Sequence, residues 1–204
     1  MNKVSIAIEK RVSMSTVDLA LRAALNNELT DDYVRELAAV ECSGANRMKK
    51  VAALLRRLVV RNPLLPTLVE QKDAVISMLD SNVDRPLLFA ALMSSSYSIF
   101  YDTLRIAGKY FHAQNDITRP LMLTKLSDKY GSNRSLDVAY DCIMPMLLDA
   151  GLIHRKSQAV YNIVKQPRAS KCVIKIYRQS FLLNNPVLDD NDNIDNDPYF
   201  EYLT

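Results

Sequence analysis

Two short runs carry the residue types best suited to holding a polyanion. Ser132-Asn133-Arg134-Ser135 sets two hydroxyls, an amide and a guanidinium just ahead of an apolar-periodic segment, and Arg155-Lys156 puts two cations side by side between apolar pairs. At the start of a helix such side chains lie beside free backbone N–H groups, a setting that suits phosphate. Asn and Arg can also read base edges. Lys165 and Arg168 follow, in a stretch from Ala150 to Leu188 that contains no acid. A second concentration lies in residues 45–61, where Lys49, Lys50, Arg56 and Arg57 fall opposite Met48, Val51, Ala52, Leu55, Leu58 and Val59 at about 100° per residue. A basic face of this kind is commonly just a solvated one; here it could extend one footprint across both halves of the chain.

Catalytic chemistry has little footing. The two histidines, His112 and His154, stand in separate segments with no nucleophile beside either, and GxxxxGK[ST], GxGxxG and HExxH are all absent. Asp31-Asp32 is explained by the start of a helix. Cys42, Cys142 and Cys172 form no CxxC pair, so neither a disulfide framework nor a zinc site is indicated, and a reducing cytoplasm is the natural compartment. The expectation is a protein that is not an enzyme and uses no metal or cofactor.

The charge is uneven. Formal net charge is +3, yet from Asp189 onward six acids occur with no Lys or Arg, which leaves +9 over residues 1–188. A basic body with an acidic tail points to a polyanionic partner. Such a tail can also fold back and compete for the basic surface. Hydrophobic residues at 49% and charged residues at 24% fit an ordinary globular chain. The apolar run at Val4–Ile8 is too short for a signal peptide, and none approaches the ~20 residues of a membrane span.

The elements that must position these residues are mostly helical. Expected helices run from Ser15 to Leu25, from a Thr30 cap to Cys42, over Ala45–Arg61 up to Asn62-Pro63, over Leu64–Leu79, from Asp84-Arg85-Pro86 to the Ser94-Ser95-Ser96 break, and over Ile99–His112. Val4, Ile6 and Ile8 alternate as a short strand would. Leu121, Leu123 and Leu126 then give a helix ended by Tyr130-Gly131. Ser132 or Ser135 can cap the next, which presents Leu136, Ala139, Tyr140, Ile143, Met146, Leu147 and Ala150 inward and carries a kinking Pro145. Its outer face shows Asp137 and Asp141, so contact is expected from its first turn and not along its length. A hairpin follows over Leu152–Ile163. Cys172, Ile174 and Ile176 alternate as a further strand, and the acidic segment after Pro186 is polar enough to be flexible.

Helix, turn, helix and hairpin, carried by GSNRSLDVAYDCIMPMLLDAGLIHR, resembles a winged helix-turn-helix. The fold class expected is therefore mainly α, a helical N-terminal part followed by a winged helix-turn-helix with a small antiparallel β-sheet. The units would be residues 1–97, 98–186 and a tail, 187–204. In order of elements, residues 15–155 also resemble the BrxA family of BREX phage-defence proteins, through the basic helix ANRMKKVAALLRRL and the later LLDAGLI. That resemblance implies binding of double-stranded DNA without enzymatic activity, alongside other defence-system proteins. The alternative is an interaction module or transcriptional regulator whose winged helix docks a partner protein.

Overall fold

The computed structural model describes residues 6, 8–189 and 192–203, and among them there are ten α-helices and three short strands. Helix α1 (Met14–Leu25) is capped by Ser13, two residues ahead of the expected Ser15, because the Ser13 hydroxyl accepts from the Thr16 N–H while Glu41 of the next helix receives the Ser13 N–H at 3.0 Å. Helix α2 (Asp31–Glu41) starts at the expected Thr30 cap. The expected strand around Val4 lies largely outside the described residues; Ile8 is buried without strand pairing.

The basic helix divides. Helix α3 (Ala45–Leu55) runs into a five-residue π-helical stretch, Arg56–Val60, closed by an Arg61 N–H to Arg56 carbonyl bond of 2.8 Å. Buried Asn62 sits at its end. Its amide donates to the carbonyls of Leu58 (2.8 Å) and Leu92 (2.9 Å) and to Ser96 Oγ (2.9 Å), while its oxygen accepts from the Leu64 N–H and Ser95 Oγ. The helix expected over Leu64–Leu79 is two, α4 (Leu65–Glu70) and α5 (Lys72–Asp80), broken at Gln71 (φ −106°, ψ 30°) where neither Gly nor Pro marks the sequence.

Helix α6 (Asp84–Ser96) is the hub, apolar and buried nearly all round. Helix α7 (Ser98–Ala113) follows, then strand β1 (Ile117–Thr118), α8 (Arg119–Tyr130), α9 (Arg134–Asp149), β2 (Ile153–Ser157) and β3 (Val160–Ile163). The sheet is antiparallel in the order β1-β3-β2, with Ile153 opposite Ile163, Arg155 opposite Tyr161 and an irregularity between Arg155 and Ser157.

The strand expected at Cys172–Ile176 is instead helix α10 (Lys171–Asn184), capped by Ser170 and laid on α6. Val173, Ile176, Tyr177, Ser180 and Phe181 are buried, a spacing of three and four that takes precedence over the short alternation. Asp84 at the start of α6 accepts the Ser170 N–H at 2.8 Å and ties the two helix starts together. One cluster of buried side chains runs from Ile8 to Tyr202, continuous across the boundary expected near residue 97.

The acidic tail is packed, not flexible, over its described C-terminal part. Pro198–Leu203 forms a 3₁₀ helix against α7, with Tyr199, Phe200 and Tyr202 buried. Aromatic burial outweighs the charge that suggested flexibility. The tail backbone lies so close to Gly108 of α7 that a Cβ there would stand 1.9 Å from the Pro198 carbonyl oxygen.

Candidate nucleic-acid interface

Helices α8 and α9 meet at Gly131 (φ 76°), which closes α8, and at Asn133, whose Oδ1 accepts the Leu136 N–H at 3.1 Å to open α9. Asn133 is thus the cap, in place of the expected Ser132 or Ser135, and its oxygen is committed to the helix. Ser132, Arg134 and Ser135 stand exposed at that turn. Arg134 has no carboxylate partner among the described residues.

On the hairpin, Arg155 lies over the Tyr161 ring, 5.7 Å from its centroid, and is otherwise unpartnered among the described residues. Lys156 pairs with Asp116 at 2.7 Å, and Asp116 also accepts from Asn162. The Lys156 hydrogen bond holds the Asp116 carboxyl below its usual range. Solvent screens such an exposed pair, so a phosphate could exchange for the carboxylate.

The outer acids of α9 are balanced from α8. Arg119 lies 3.1 Å from Asp141 and 3.5 Å from Asp137, with its guanidinium also 5.5 Å from the centre of the Tyr140 ring. Arg119 was not among the expected site residues; its partners sit 18 and 22 positions away, beyond the reach of local pattern.

The remaining expected contacts divide between free and occupied. Arg168 and Lys49 are exposed and unpaired among the described residues. Lys50 pairs with Glu9, and Arg56 with Asp31 at 2.8 Å. Arg57 donates to the Ser96 carbonyl at 3.0 Å and lies 4.3 Å from the Tyr97 ring centre, which makes it a brace between the π-helical stretch and the end of α6. Lys165 is held at 2.8 Å by Glu201 of the tail, which also lies 3.1 Å from His112 Nδ1. The tail also pairs Asp197 with Arg105 and Asp195 with Arg178.

Burial pushes the Glu201 carboxyl up, but the bonds from Lys165 and His112 outweigh it and hold it below its usual value. A depressed carboxyl contributes stability above its unfolded value, about 4.3, and that contribution is lost as pH falls through the folded value. The Tm difference between the native chain and Glu201→Gln is therefore expected to shrink as pH falls below about 4. A difference that stays unchanged down to pH 3 would contradict this anchoring.

The N-terminal segment reaches the same region. Ile8 and Val12 are buried, and the Met14 N–H donates to Asp149 of α9 at 2.5 Å. Lys10 borders an open hollow with Arg134, Ser135 and Val138. No pattern in the sequence singles out Lys10-Arg11.

Among the described residues no helix is long and apolar enough to cross a membrane, and no three His, Cys, Asp or Glu side chains are grouped to hold a metal. Comparison with protein-family models, with curated proteins and with solved structures found no match to this chain.

Proposed function

We propose that the chain is a winged helix-turn-helix protein that binds double-stranded DNA without catalysing a reaction, through the β2–β3 wing and the first turn of α9. The observation that carries this reading is the arrangement α7, β1, α8, α9, β2, β3 with sheet order β1-β3-β2, bearing exposed Arg134 and Arg155 at the two places where such a fold meets a duplex. Phosphate contact dominates: the Asn133 oxygen is occupied as a cap, and the outer face of α9 carries Asp137 and Asp141 bridged by Arg119. Contact along the length of α9 is disfavoured. This role would suit a cytoplasmic phage-defence component, in line with the BrxA resemblance, or a regulator.

A second reading, docking of a partner protein, is favoured by that same neutralised α9 face. The two separate on salt dependence. Binding to a random-sequence duplex is expected to weaken with a log–log slope of about −4 to −5, equivalent to roughly five phosphates. Arg155→Glu with Lys156→Glu is expected to lower that slope by about 2 and to weaken binding at least tenfold at low salt. Weak binding with no salt dependence would remove the DNA reading and leave the docking one.

A further inference from the structure

We infer that Lys10 and Arg11 contact the DNA backbone, and that the N-terminal segment Ile8–Ser13 joins the cations of α3 to those of α9 in one phosphate track. The inference rests on the DNA-binding reading and adds residues that neither helix supplies.

Two adjoining hollows share Ile8, Glu9 and Lys10. One is bordered on its far side by Lys50 of α3, the other by Arg134 and Ser135 of α9. The segment therefore runs between the two basic groups that the sequence places 84 positions apart, from Lys50 to Arg134. It is fixed there at both ends. Ile8 and Val12 are each 2% exposed, and beyond them the Met14 N–H is held by Asp149.

Charge is arranged to match. Glu9, the segment's one acid among its described residues, is turned to Lys50, while Lys10 and Arg11 form no ion pair or side-chain hydrogen bond among the described residues. Both cations act on the Cys142 thiol of α9: burial pushes that thiol up, Asp141 and Glu9 add to the rise, and Lys10 and Arg11 pull against it. Farther along, Arg11 and Val12 border a hollow with Pro145 and Asp149. A duplex approaching this side of α9 would thus meet Lys10 beside the first turn of the helix and Arg11 farther along it. Counterion release makes each such contact visible in the salt slope.

The test uses the full chain and the same random-sequence duplex. Lys10→Ala with Arg11→Ala is expected to reduce the magnitude of the salt slope by about 2, while Lys72→Ala with Lys109→Ala, the same charge removed elsewhere, leaves it unchanged. Glu9→Gln frees Lys50 and removes the acid, so it is expected to tighten binding and steepen the slope by about 1. If the native chain binds steeply but the Lys10/Arg11 variant binds as well with the same slope, the track is wrong and the DNA reading survives. Equal loss in the Lys72/Lys109 control would also overturn it, by reducing the effect to net charge. If the native chain itself binds weakly and without salt dependence, the DNA reading fails and the track with it.

Discussion

Replacing Tyr199 by alanine is expected to cost roughly 3–5 kcal/mol, the range for emptying a buried aromatic site. Its ring is stacked on Tyr177 at 4.4 Å between centroids and is met by Tyr101, Phe181 and Phe200 within 6 Å. The Tyr177 hydroxyl donates to the Tyr199 carbonyl at 2.6 Å, and the Tyr199 hydroxyl bonds Ser180 Oγ at 2.8 Å. For a chain of this size each kcal/mol shifts Tm by about 2–4 °C, so the melting point should fall by roughly 6–20 °C. Tyr199→Phe keeps the ring and loses one neutral hydrogen bond, worth about 1 kcal/mol. Gly108→Ala should resemble the alanine variant, because the new Cβ must push the Pro198 backbone off α7. A Tyr199→Ala chain that melts within about 2 °C of the native one would show that the tail is not part of the core. Removing residues 187–204 is for the same reason expected to unfold the protein, and not to tighten DNA binding by relieving a competitor.

The second large effect belongs to Asn62. Leucine at this position is expected to destabilise by about 3 kcal/mol, because a buried polar group left unpaired costs about 1–3 kcal/mol. Only 3% of Asn62 is exposed, and its amide serves carbonyls on two helices while its oxygen serves the Leu64 N–H. Aspartate should be worse than leucine, since its oxygens would face the Leu58 and Leu92 carbonyls. Denaturant midpoints with an unchanged m-value would measure both. A loss below about 1 kcal/mol would mean that the network rearranges at little cost.

Local structure is legible in the sequence where its determinant is itself local. Thr30 caps α2, Gly131 closes α8, and the apolar face of α9 is the one its spacing implies. The hairpin pairs as its two apolar runs suggested. At Cys172–Ile176 two periodicities overlap, and alternation over five residues concealed a helical face that continues to Phe181. In the tail, six acids spoke for flexibility, while Tyr199, Phe200 and Tyr202 decided the packing because α7 and α10 offer them an aromatic bed.

The candidate interface was less legible. Whether a cation is free depends on which acid the fold brings beside it: Glu9 reaches Lys50 across 41 positions, Asp116 reaches Lys156 across 40, and Glu201 reaches Lys165 across 36. No window along the chain contains those pairs. The number of cations was visible in the sequence, but not the number left over. Arg134 and Arg155 have no acid beside them among the described residues, whereas Lys50, Arg56, Arg57 and Lys165 acquire structural partners.

The aromatic plug on α7 and α10 has a consequence for the order of folding during synthesis. Ribosomes add residues from the N-terminus at about 5–20 per second, so Tyr199 is made roughly five seconds or more after Gly108. Until then Tyr101 on α7 lacks the rings that cover it, because Tyr177, Phe181 and Tyr199 all follow it by 76 residues or more. The nascent chain therefore carries a sticky surface that its own later residues must cover, which marks it for chaperone attention during that interval. A stop codon before Tyr199 would leave that surface open for good, and the product would go to proteolysis.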